Sequence, residues 1–177
     1  MEIPIENVLC FAPPSRKVGS LVLKPLTLAG AVALEALGVS AIDRRVPPDK
    51  VLVAAAVLSG APLDRLMDGT FDLKKFWRRH CASAAKEVAE ACGEMLAMAW
   101  ATYVEPPRGG GKVGGNGLYL DLLDFLMAEY SMPPGAAMAE PLSRVWALVA
   151  TRRSKLGQGH GGPDYVERQK IERMMGR

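Results

Sequence analysis

The sequence predicts an all-α protein. The expected architecture is a helical bundle of about five to six helices, with an extended N-terminal arm and a Gly/Pro-rich linker between two helical halves. Three observations carry this. Apolar residues recur at helical spacing through most of the chain beyond Leu23. Aromatic residues are only 6% of the chain, whereas Ala, Leu and Met are plentiful, a mix that favours helix over sheet. Pro and Gly cluster between the periodic segments, where breakers belong.

A chain of 177 residues can bury a real core as one domain. Within it the pattern marks an arm over 1–24, a helical half over 25–104, a linker over 105–117 and a second helical half over 118–177. Residues 1–24 have no helical period. Val18 to Leu23 fit a short strand or an arm lying on a neighbour, and Pro13-Pro14 favours extended backbone before it.

The first helix starts near Pro25 to Thr27, with Thr27 as its cap. Leu26, Ala33, Leu34 and Leu37 form its apolar face, and Gly38 sits at its stop. The second opens at Pro47-Pro48 with Asp49 in its first turn, as the helix dipole prefers. It runs to Leu58, is apolar nearly all round and ends at Gly60, so it belongs at the centre. Pro62 to Met67 reads as a short turn leading to Asp68-Gly69.

The third helix is the longest, capped by Asp72 and periodic from Leu73 to about Tyr103. It would span about 45 Å. Trp77, Cys81, Ala84, Val88, Ala91, Met95 and Met98 line one side. Then Glu105 to Gly117 holds six glycines and two prolines, a flexible stretch without a hydrophobic anchor.

Gly117 to Leu156 reads as helix, elbow, helix. Tyr119, Leu122, Leu123, Leu126 and Tyr130 form one stripe, with Asp121, Asp124 and Ala128 on the other side. Leu142, Val145, Trp146, Val149 and Leu156 repeat the pattern, with Pro133, Pro134 and Pro141 between. A last short helix opens at Pro163.

No stretch spells out a chemistry. GGGKVGG lacks the Ser or Thr that a phosphate loop needs after its lysine, since Val113 follows Lys112, and it leaves a helix rather than a strand. His80 and Cys81 point about 100° apart on a helix, and no C-x-x-C or H-x-x-x-H pair exists. Cys81 and Cys92 are expected as small buried hydrophobes, and three cysteines without tight spacing make no disulfide framework. There is no G-x-S-x-G, and only two histidines, His80 and His160, could act as a base. Glu35 and Glu140 lie nearest apolar surroundings and are expected in caps or salt bridges. No catalytic, cofactor-binding or metal-binding residues are therefore expected, and the protein is read as a non-enzyme.

The net charge of +3 demands neither a nucleic-acid nor a membrane partner. The longest nearly uncharged run, Val51 to Pro62, is too short to span a bilayer, and the acidic N-terminus does not read as a secretory signal. The expected location is the cytoplasm. Lys74, Lys75, Arg78 and Arg79 surround Phe76 and Trp77 near a helix start, where positive charge is mildly unfavourable. They read as a solvated face or as a contact for an anionic partner. Methionines concentrated in the second half serve equally as core filler or as an adaptable binding surface.

The succession PLTLAGAVALEALG, VLVAAAVLSG, a long helix, the Gly/Pro-rich linker, GLYLDLLDFLMAEYSM, EPLSRVWALVATRRSKLG and GPDYVERQKIE resembles the small helical tail assembly chaperones of tailed bacteriophages and prophages. The likeness touches most of the chain from Leu23 onward. It implies a non-enzymatic role: binding the long helical tape-measure protein during tail morphogenesis, in the cytoplasm of the bacterial host. It brings no site residues with it. On the apolar pattern, Leu123, Leu126, Tyr130, Trp146 and Val149 are the places for such a partner to bind, although core packing explains them as well. A structural virion component, such as a tail or neck protein, and a small nucleic-acid-binding adaptor are the alternatives. A homo-oligomer is a further partner reading for the chain.

Overall fold

A computed structural model of the chain describes residues 13–41, 46–100 and 116–155, with backbone only at 116 and 153–155. The fold is mostly helical, as expected. Among the described residues there are eight α-helices rather than five or six: α1 (Leu28–Ala36), α2 (Val51–Ser59), α3 (Leu63–Met67), α4 (Leu73–His80), α5 (Ala85–Ala99), α6 (Asn116–Tyr130), α7 (Pro134–Ala139) and α8 (Leu142–Lys155). The excess has plain causes. The turn after Pro62 and the elbow after Pro133 each wind into a short helix, and the long third helix is broken.

The described part of the expected arm takes its short-strand form, paired as a hairpin. Strands β1 (Arg16–Val18) and β2 (Leu21–Leu23) form an antiparallel hairpin, with Arg16 opposite Leu23 and Val18 opposite Leu21. Val18, Leu21 and Leu23 point into the core. The Lys24 amide donates to the Leu58 carbonyl at 2.7 Å, and Arg16 pairs with Glu94 at 3.4 Å. A hairpin alone is marginal in water; here α2 and α5 supply the surface that makes its apolar face worth burying. Residues 1–12 of the expected arm lie outside the described residues, as do 105–115 of the linker, Cys10, Leu156, His160 and the helix expected after Pro163.

Helix α1 begins as its sequence dictates. The Thr27 hydroxyl accepts the Gly30 amide at 3.0 Å. A side chain at Gly30 would meet Leu26 at 3.0 Å and Val57 at 3.3 Å, so this glycine lets α1 lie close on α2. Helix α2 is central: Ala54, Ala55 and Ala56 are fully buried, and α1, α4, α5 and β2 all pack on it. It ends at Gly60 in the left-handed conformation, φ 82°.

The structure corrects the expected helix of about 45 Å. Asp72 caps α4 by accepting the Lys75 amide at 2.8 Å. The helix then stops at Cys81 (φ −120°), passes through a 3-10 turn at Ala82–Ala84, and restarts beyond Ala84 (φ −140°) as α5. No Pro or Gly marks the place, and alanine favours an unbroken helix. Tertiary packing overrides that preference. Both α4 and α5 rest on α2, and the break lets the polar α4 turn to cover α2 while Cys81, Val88, Ala91, Cys92 and Met95 stay in the core.

The second half docks on the first through backbone. Thr27 and Pro141 form an isolated antiparallel bridge. The Leu28 amide donates to the Glu140 carbonyl at 3.0 Å, and the Leu142 amide to the Leu26 carbonyl at 2.7 Å. Helix α6 packs on α1 and α7, and α8 on α5, where the Trp100 and Trp146 rings lie 5.3 Å apart.

Candidate functional site

A groove of about 540 Å³ opens on the surface between the start of α2 and the outer face of α4. Pro48, Val51, Leu52 and Trp77 give it apolar walls, and Lys74 and Arg78 stand at its edge. Its origin lies in two helices of opposite kind. Helix α2 is apolar on every side, so the flank that neither α1 nor α5 covers must meet something else; Leu52 and Val53 remain only half-buried there. Helix α4, LKKFWRRH, has Phe76 and Trp77 as its larger apolar groups, and both are half-buried against the rest of the fold.

The four cations expected to meet an anionic partner all project to solvent from α4. Lys74 and Lys75 occupy the first turn, whereas Arg78 and Arg79 occupy the last turn of this short helix. The break at Cys81 therefore changes the electrostatics foreseen from sequence: only the two lysines oppose the helix dipole, and the two arginines are favoured by it. Among the described residues none of the four has a carboxylate within ion-pair distance. The ion pairs formed there are Arg16–Glu94, Lys86–Glu90, Arg144–Glu140 and Arg152–Glu129. Asp72 is turned back to cap its own helix. His80, at the far end, contacts Ser20 through Nδ1 at 3.2 Å and packs on Phe76 with ring centroids 5.3 Å apart.

The apolar set expected to bind a partner divides. Leu126, Trp146 and Val149 belong to the core, at 0%, 4% and 9% exposure, and cannot face a partner in the folded chain. This corrects the sequence reading, and the reason is that α6 and α8 use those stripes against the rest of the bundle. Leu123 is half-buried. Tyr130 is exposed, with its hydroxyl 3.5 Å from the Leu148 carbonyl. The apolar side chains that α6 does present are Leu120 and Met127, which lie outside the stripe read from the sequence.

The remaining polar candidates are accounted for by structure. Glu35 accepts the Ala41 amide at 3.0 Å and the Tyr119 hydroxyl at 3.3 Å, and Glu140 pairs with Arg144 at 3.3 Å. Cys81 and Cys92 are free thiols in the core. Burial raises both; the Cys92 thiol, with Cys81 nearby, is pushed up to about 12. Among the described residues no three His, Cys, Asp or Glu side chains group so as to hold a metal ion. Among them, too, no helix is long and apolar enough to cross a membrane. The GGGKVGG stretch lies outside the described residues.

Sequence reasoning missed the groove, although its signal was present. A helix apolar all round, followed closely by a short cationic helix carrying Trp77, leaves an uncovered apolar flank beside positive charge. No family model, no curated protein and no solved structure matches the chain.

Proposed function

We propose that this protein is a non-enzymatic binding protein for a helical partner, and that the partner is a phage tape-measure protein held during tail assembly. The groove between α2 and α4 carries the reading: open, apolar-walled and edged by Lys74 and Arg78, it suits the apolar side of an amphipathic helix whose flanks bear acids. Apolar contact would supply affinity, and the cations would set orientation and encounter rate. The resemblance to tail assembly chaperones supplies the partner's identity, and the work would be done in the host cytoplasm.

The test is co-expression of the chain with a tape-measure-sized product of a neighbouring reading frame; the lack of such a frame would itself count against the reading. The chain should co-purify with that product and be absent from finished particles by mass spectrometry. K74E/R78E should abolish co-purification while leaving the chain folded. Presence in particles would replace this reading with that of a structural virion component. Retention on nucleic acid instead, lost steeply with salt and by charge reversal at Arg78 and Arg79, would replace it with a nucleic-acid adaptor.

A further inference from the structure

We infer that the chain binds a second copy of itself by seating the exposed face of α6 from one copy in the α2–α4 groove of the other. The two surfaces are complementary in charge, and each carries apolar side chains beside its charges. Residues 117–132, GLYLDLLDFLMAEYSM, contain three acids and no Lys or Arg. Residues 73–80, LKKFWRRH, contain four Lys or Arg and no acid.

Helical spacing places Leu120, Asp124 and Met127 within an arc of roughly 60° on α6, with Asp121 on one flank. Both aspartates are exposed, and Leu120 and Met127 are 59% and 38% exposed. Glu129 is engaged elsewhere, 2.8 Å from Arg152. Among the described residues, this face offers large apolar side chains beside carboxylates without an ion-pair partner, and the groove offers an apolar hollow beside cations without one. Within one chain α6 packs on α1 and α7 and α4 packs on α2, so each presents its charged face outward. Either surface alone would be an ordinary solvated face; together they are two halves of one contact.

The two patches are different, so the contact either forms twice in a reciprocal two-fold dimer or, formed once per pair, closes into a ring or grows by addition. It engages the same groove as the tape-measure helix proposed above, and a bound partner would displace it. It needs no such partner, so the experiment below uses the chain alone and its outcome is separate from that reading.

Sedimentation velocity of the full chain over a range of concentrations tests the inference. The wild type should associate, and less so as salt is raised from about 50 to about 500 mM. D121K/D124K and K74E/R78E should each be weakened at least about tenfold, because like charges then face each other. Mixing the two variants should restore association, since each then supplies the charge the other lacks. Leu120→Ser provides a neutral check and should also weaken association. Circular dichroism confirms that each variant is folded. The inference is overturned if the wild type stays monomeric throughout. It is equally overturned if K74E/R78E associates like the wild type, as a symmetric α6–α6 contact would allow, or if the mixture shows no recovery.

Discussion

The Tyr119 hydroxyl donates to Glu35 Oε1 across 3.3 Å, joining α6 to α1 over 84 positions of sequence. The same carboxylate oxygen takes the Ala41 amide at 3.0 Å, so one side chain holds the end of α1 and the face of the second half together. Tyr119 is 3% exposed, and its phenol is kept protonated by burial, by the negative charge of Glu35 and by the hydrogen bond to it.

Tyr119→Phe keeps the ring and removes that hydrogen bond. The expected cost is about 1 kcal/mol. It is read from the urea midpoint at neutral pH with an unchanged slope. An unaltered midpoint would show that the contact does not tie the halves together.

Alkaline pH should loosen the fold in a defined direction. The Tyr119 phenol is raised above its ordinary 10.0 and the Cys92 thiol from 9.0 to about 12. The folded state thus holds these protons more tightly than the unfolded chain. Their contribution is complete below pH 9 and declines as pH rises from 9 for Cys92 and from 10 for Tyr119. Urea midpoints should fall through this window, and Tyr119→Phe should flatten the upper part of the fall. At pH 8 neither Cys81 nor Cys92 should react with a thiol reagent until the chain is unfolded.

Core and surface on α6 can be separated by substitution. Leu126 is fully buried and Leu120 is 59% exposed. Leu126→Ala should cost about 2–5 kcal/mol, whereas Leu120→Ala should change stability by less than about 0.5 kcal/mol. Similar costs at both positions would contradict the described orientation of the helix.

Ser131 ends α6 with a positive φ of 51°, and the Met132 amide reaches back to the Leu126 carbonyl at 3.4 Å. A side chain in this left-handed conformation is strained, and glycine relieves it. Ser131→Gly should stabilise the protein by about 1 kcal/mol, seen as a higher thermal midpoint. A lower midpoint would mean that the serine is not strained there.

What the sequence disclosed and what it withheld follow different physics. Thr27, Asp72 and Gly60 announce helix ends because caps are local chemistry, and α2 reads as central because no polar face was available to solvate it. The break at Cys81 was hidden: CASAA contains no breaker, and only packing on α2 decides it. The hairpin was half legible: Val18 to Leu23 read as a short strand or an arm, but three-residue strands have too little period to disclose their pairing. The stripe on α6 was legible, but not whether Leu126 or Leu120 meets solvent, because apolar residues surround much of that helix. The cations of α4 were visible in sequence; the groove beside them required knowing that Trp77 and Leu52 share a wall.

Hydrogen exchange of the chain with and without the proposed tape-measure partner tests the central claim most directly. New protection should fall on Pro48 to Leu52 and on Leu73 to His80, the two walls of the groove. Protection confined to other surfaces, or none at all, would contradict the assignment of the groove as the place where a helix is held.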